Sequence, residues 1–145
     1  MYQVHDAINT DVLTISADAT VEEAIRHLID NNISGMPVVD EEGYLAGIIS
    51  EFQLLETLYS PEVRAMPVRD VMTKDVITVS VNTMLSDVAS LMVAHRIRRL
   101  PVVNGGKLVG IISRRDLLKY ALEAGDELDE FFGEIKECVC PSSYA

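Results

Sequence analysis

The chain has no tryptophan and only two cysteines, Cys138 and Cys140, close to its C-terminal end. A disulfide between residues two apart is strained, and two thiols alone do not complete a tetrahedral zinc site. Neither a disulfide framework nor a structural metal is expected. Basic residues are scarce: 12 Lys and Arg stand against 23 Asp and Glu, a net charge of −11. Phosphate backbones require clustered Lys and Arg, so nucleic acid is excluded as the main partner. No apolar run approaches the roughly 20 residues that cross a bilayer. Residues 1–6 contain no basic stretch followed by an apolar one, so no signal peptide is expected and a cytoplasmic protein is. The three histidines, His5, His27 and His95, are not spaced as a metal set. No nucleophile elbow, P-loop or Rossmann glycine pattern occurs, so the chain is not expected to be an enzyme or to require a cofactor.

Against these absences stands a repeat. The 145 residues, 48% apolar and 24% charged, have the composition of a soluble globular protein with room for one domain or two small halves. A shift of 64 residues lays Val4-His5-Asp6-Ala7-Ile8 on Val68-Arg69-Asp70-Val71-Met72. It also lays Asp11-Val12-Leu13-Thr14-Ile15-Ser16 on Asp75-Val76-Ile77-Thr78-Val79-Ser80, and Met36-Pro37-Val38-Val39 on Leu100-Pro101-Val102-Val103. After one residue is lost in a turn, Gly47-Ile48-Ile49-Ser50 meets Gly110-Ile111-Ile112-Ser113. Such a duplication sets the architecture before any local reading.

Each copy predicts strand, helix, strand, strand, helix. Residues 12–15 and 76–79 read as short strands. Val21, Ala24, Ile25, Leu28 and Ile29 recur with helical period, as do Leu85, Val88, Ala89, Met92 and Val93. Asp18 and Asn82 suit N-caps, with a Thr20–Glu23 capping box as the alternative in the first copy. Asn104-Gly105 suits a tight hairpin turn. Pro37 and Pro101 are placed at strand starts, and Gly47 and Gly110 mark close approach of another strand or a ligand. The second helices begin at Ser50 and Ser113. The resulting division is a first domain at 1–58, a proline-containing linker at 59–67, a second domain at 68–124 and an acidic tail at 125–145. In the tail, Leu128, Phe131, Phe132 and Ile135 have helical spacing. One more amphipathic helix is expected there, packed on its own domain or on a second subunit.

Three marks recur in order and in duplicate: Val68-Arg69-Asp70-Val71-Met72-Thr73, the Leu-Pro-Val-Val strand at 100–103, and Gly-Ile-Ile-Ser entering a helix at 110–113. Together they resemble a tandem pair of CBS domains, the module named after cystathionine β-synthase and also called a Bateman module. The resemblance implies an α/β (α+β) fold of two βαββα units about a pseudo-twofold axis. It implies clefts that take adenosine-bearing ligands: AMP, ADP, ATP, S-adenosylmethionine or NAD-type molecules. It further implies a regulatory role without catalysis and association as a homodimer. No effector domain accompanies the pair in this sequence, so the output is expected to pass to a separate partner protein.

The family's nucleotide pattern, Gly-x-x-Ser/Thr-x-x-Asp, is matched by Gly110, Ser113 and Asp116. A carboxylate can accept from both vicinal hydroxyls of a ribose, which suits Asp116. Ser113 stands at a helix start, where unpaired N–H groups attract phosphate. Arg114 and Arg115 follow it, while Arg98 and Arg99 precede the Leu100-Pro101 strand. Guanidinium suits phosphate, and Arg96 can assist. Ile77, Leu100 and Pro101 are the candidate apolar seat for adenine. A purely structural reading competes: Ser-x-x-acid is also a capping box, which Ser50-x-x-Gln53 fits equally well, and a charge run is usually a solvated face. That reading leaves the asymmetry unexplained. The first copy has Gln53, Glu51 and Phe52 at the motif, and Ser34 and Gly35 in place of Arg98 and Arg99. One competent cleft per chain is therefore expected, centred on Ser113 and Asp116. The competing function is a ligand-free dimeric interaction scaffold.

Overall fold

Thr20 and Met84 occupy equivalent places in the two copies and set the starts of the first helices. The computed structural model describes residues 2–124. The expected tail helix, with Cys138 and Cys140, lies outside the described residues. The first copy runs β1 (Ile15–Ser16), α1 (Val21–Asp30), β2 (Gly35–Val39), β3 (Leu45–Ser50) and α2 (Glu51–Glu56). The second runs β4 (Val79–Ser80), α3 (Leu85–His95), β5 (Arg99–Asn104), β6 (Lys107–Ser113) and α4 (Arg114–Ala124). Both copies thus show the βαββα order. The strands form two sheets, β1-β2-β3 and β4-β5-β6.

The first strands are shorter and begin later than the apolar pattern predicts. β1 pairs in parallel with β2 only through Ile15–Val38 and Ser16–Val39, and β4 with β5 only through Val79–Val102 and Ser80–Val103. β2 and β5 continue alongside residues 12–14 and 76–78, which nonetheless do not pair with them, and apolar periodicity carries no record of backbone pairing. β2 and β5 start two residues ahead of Pro37 and Pro101, so each proline is third in its strand.

The helix starts also correct the sequence reading. Thr20 Oγ1 accepts from the Glu23 N–H at 3.2 Å, and Glu23 Oε2 accepts from the Thr20 N–H at 3.1 Å. This capping box starts α1, and Asp18 is no cap: its carboxylate pairs with Arg69. Asp18 and Asn82 instead occupy matching turns, their N–H groups donating to Ser16 Oγ and Ser80 Oγ at 3.1 and 3.2 Å. The hairpin of the second copy turns on Gly105 and Gly106, with φ of 60° and 85°. Two successive positive φ values favour glycine twice, which leaves Asn104 in the strand.

The chain divides into two compact units that do not coincide with the two copies. One contains Asp11–Ile77 and Gly105–Leu108. The other contains, among the described residues, 2–10, 78–104 and 109–124. Each unit combines the body of one copy with the opening segment of the other. In the first unit Val68 N–H donates to Ala19 C=O (2.7 Å), Arg69 to Ala17 (3.2 Å) and Val21 to Met66 (2.9 Å). The same three bonds recur in the second unit as Val4 to Thr83 (2.8 Å), His5 to Val81 (3.1 Å) and Leu85 to Tyr2 (3.0 Å). Val4 and Val68 are fully buried. Val68 shares a core with Ile15, Val21, Leu28, Met36, Val38, Ile49 and Leu54.

This exchange explains the strand glycines. A Cβ on Gly110 would lie 2.7 Å from the Asn9 carbonyl oxygen, and one on Gly47 would lie 2.5 Å from that of Thr73. In both units the close approach comes from the opening segment. Backbone cannot swing aside as a side-chain tip can. Gly110→Ala is therefore expected to destabilise the protein by about 1–3 kcal/mol through overpacking. Urea unfolding measures this, and an unchanged midpoint would show that the segment yields at no cost.

Candidate functional site

Ser113 and Asp116 are joined by three hydrogen bonds where β6 enters α4. Asp116 Oδ2 accepts from the Ser113 N–H at 2.8 Å and from its Oγ–H at 2.9 Å, while Ser113 Oγ accepts from the Asp116 N–H at 3.1 Å. The pair is a capping box, and both residues are half-buried. It occupies one carboxylate oxygen. Asp116 Oδ1 makes no hydrogen bond among the described residues.

The equivalent pair in the first copy differs at this point. Gln53 Oε1 accepts from the Ser50 N–H at 3.0 Å and from its Oγ–H at 3.3 Å. Gln53 Nε2 donates to Thr73 Oγ1. Both ends of the amide are engaged, and Gln53 carries no charge. The cap is common to the two copies; the spare anionic oxygen belongs to Asp116 alone.

The arginines reach this helix start through the backbone. The Arg114 N–H donates to the Arg98 carbonyl at 2.9 Å, as the Glu51 N–H does to Ser34 in the first copy. The side chains of Arg98, Arg114 and Arg115 are exposed and form no ion pair among the described residues. Arg99 is exposed at the first position of β5. Arg96 closes α3 with φ of 54°, in the left-handed region, where the first copy has Asn32 at 52°. Asparagine adopts that region at lower cost than arginine.

Leu100 retains 1% exposure and Pro101 is fully buried. Both side chains are in the core, so they present almost no surface. Gly110 is buried against Ile8 and Asn9. The structure thus places Gly110, Ser113, Arg114, Arg115, Asp116, Arg98, Arg99, Leu100 and Pro101 in one unit. Ile77, which is half-buried, belongs to the other.

A cleft of about 280 Å³ lies against Asp116, lined also by Asp6, Asn9, Lys119, Tyr120 and Glu123. Lys119, Tyr120 and Glu123 follow Asp116 at i+3, i+4 and i+7 on one face of α4. Partial desolvation, followed by the nearby carboxylates of Asp6 and Glu123, holds the Tyr120 phenol above its usual range. It therefore stays protonated at neutral pH. The Tyr2 ring meets Tyr120 edge-on, with centroids 5.1 Å apart. The sequence reading missed the opening-segment residues here. The available signal was the repeat register, which sets Asn9 opposite Thr73, the residue bonded to Gln53. Among the described residues no group of three or more His, Cys, Asp or Glu is placed to hold a metal ion, and no helix is long and apolar enough to cross a membrane.

The family model of the CBS domain matches residues 4–60 and 68–123. The chain belongs to the CBS domain family. Among its relatives, the uncharacterized protein MJ1225 of Methanocaldococcus jannaschii is 35% identical over 116 residues. That match takes in 80% of this chain, and the chain spans only 41% of the length of MJ1225. The crystal structure of CBSX2 in complex with AMP aligns with a TM-score of 0.76 and 30% identity, covering 86% of this CBS pair and 98% of that chain. The CBS pair of protein MJ0100, in complex with 5′-methylthioadenosine and S-adenosyl-L-methionine, aligns with a TM-score of 0.72 and 28% identity, again over 86% and 98%.

Proposed function

We propose that this CBS pair senses an adenosine-bearing ligand, AMP or ATP by preference, at the start of α4. The observation that carries this reading is the unengaged Asp116 Oδ1, in a helix start joined by backbone to Arg98 and followed by Arg114 and Arg115. Oδ1 takes one ribose hydroxyl. The second is taken by Oδ2 when the Ser113 hydroxyl turns away from it towards phosphate. The arginines and the N–H groups of the first turn neutralise that phosphate. The presence of AMP on CBSX2, and of adenosyl compounds on MJ0100, supports the ligand class. Arg96 in a backbone conformation better suited to asparagine is consistent with a positively charged site retained at some cost. Gln53, neutral and tied to Thr73, offers no equivalent grip, so one cleft per chain is the expected stoichiometry. Occupancy then shifts the population of conformations presented to a second protein.

The competing reading, a ligand-free dimeric scaffold, has its own support. Ile29, Leu55 and Leu58 are 72%, 58% and 55% exposed, and they line an apolar groove of about 620 Å³ between α1 and α2. Calorimetric titration with AMP, ATP and S-adenosylmethionine separates the two. One site per chain, with a melting temperature that rises with ligand concentration, is the expected result. No heat and no thermal shift with any of the three leaves the scaffold as the function.

A further inference from the structure

The last helices of the two copies expose apolar surfaces of different charge. In the first unit the groove between α1 and α2 is lined by the buried Leu28 and Leu54 and by the exposed Ile29, Leu55 and Leu58. Glu51, at the start of α2, is the only charged residue lining it among the described residues, and it forms no ion pair there. In the second unit Leu118 and Leu122 on α4 are 67% and 84% exposed, while Leu117 and Ala121 of the same helix are buried. Arg115, Leu118 and Leu122 follow one another at i, i+3 and i+7, flanked by Arg114 and Lys119. All three cations are exposed, and no acid stands among them on that stripe. The groove is thus apolar with an anion at the start of α2, and the stripe is apolar with cations at the start of α4.

We infer that the occupant of the groove is α4 of a second copy of this chain. Leu118 and Leu122 enter between α1 and α2 as the ridge of an amphipathic helix, and Arg114 and Arg115 meet Glu51. Charge selects this pairing over the two like-with-like ones. A second groove brings no cation to Glu51, and a second stripe brings no anion to the arginines. The difference traces to the repeat, whose register sets Arg114 opposite Glu51, so that equivalent helices begin with opposite charges. Made in both directions, with α4 of each copy in the groove of the other, the contact closes a dimer. One kind of interaction then covers both exposed apolar surfaces, neither of which a monomer would favour leaving in water. The pairing needs no nucleotide, so it stands or falls independently of the ligand reading above.

Analytical ultracentrifugation of the full chain at low salt tests the pairing. The parent is expected to sediment as a dimer, and Leu118→Asp with Leu122→Asp as a monomer. Glu51→Arg is expected to weaken the dimer at least about tenfold, and so is Arg114→Glu with Arg115→Glu, whereas all three substitutions in one chain bring it back to within about threefold of the parent. Contacts between like faces predict no such loss and recovery. A monomeric parent, an assembly that grows past two copies, charge reversals without effect, or a triple variant no tighter than either reversal alone overturns the inference. Circular dichroism confirms that each variant is folded.

Discussion

Asp116→Ala is expected to weaken AMP binding by about 100-fold or more, while Gln53→Ala leaves it within about twofold. The carboxylate is assigned two charge-assisted hydrogen bonds to the ribose, each contributing about 1.5–3 kcal/mol, and every 1.4 kcal/mol is a factor of about ten. Both substitutions also remove half of a capping box, so each should lower stability by about 1 kcal/mol. Binding and folding must therefore be read separately. Asp116→Asn does this: its side-chain carbonyl can still accept from the Ser113 N–H, so the cap persists, yet the charge is gone. Affinity in Asp116→Asn should fall nearly as far as in the alanine variant, with the unfolding midpoint close to that of the parent. If titration calorimetry shows equal losses at Asp116 and Gln53, or none at either, the one-site assignment is wrong.

Val68→Asp is expected to cost upwards of about 3 kcal/mol. Val68 has no exposed surface and sits among aliphatic side chains, so a carboxyl there is buried without a partner. Where the damage falls is more informative than its size. By sequence, Val68 opens the second copy; in the fold it completes the core formed by β1 to β3 and α1. Hydrogen exchange should therefore lose protection chiefly across residues 15–50, and Val4→Asp should do the same across residues 79–121. A loss in Val68→Asp centred on β4 to β6 would contradict the exchange of opening segments.

The order of elements was legible because two signals agreed, helical period in the apolar residues and a self-match covering most of the chain. What the sequence could not reveal was anything fixed by a partner in space. Self-comparison aligns Val68 with Val4 but is blind to which body either one joins, so the division at 58 and 68 follows the copies and not the units. The apolar pattern overruns the first strands because nothing in residues 12–14 records which of them pair with β2. Asp18 has the chemistry of a cap, yet Arg69, 51 residues away, holds it elsewhere. At the site, the contrast between Asp116 and Gln53 needed only the two side-chain formulas. The burial of Leu100 did not follow from its place next to the exposed Arg99, since successive strand residues face opposite ways, and that of Pro101 was set by the packing of the sheet. The contribution of Asp6 and Asn9 to the cleft likewise depended on the fold.

The traded openings have a consequence for synthesis. On a ribosome the chain emerges from its N-terminal side, so residues 2–10 leave the exit tunnel long before the body that receives them. The body around α1 can take in residues 66–73 as soon as these appear, because the intervening stretch is short. Val4 must wait, its apolar side chain in water, until β4 to β6 have been made. Residues 2–10 are thus seated after residues 66–73, although they are made first, and the unit they complete stays open until β4 to β6 have been made.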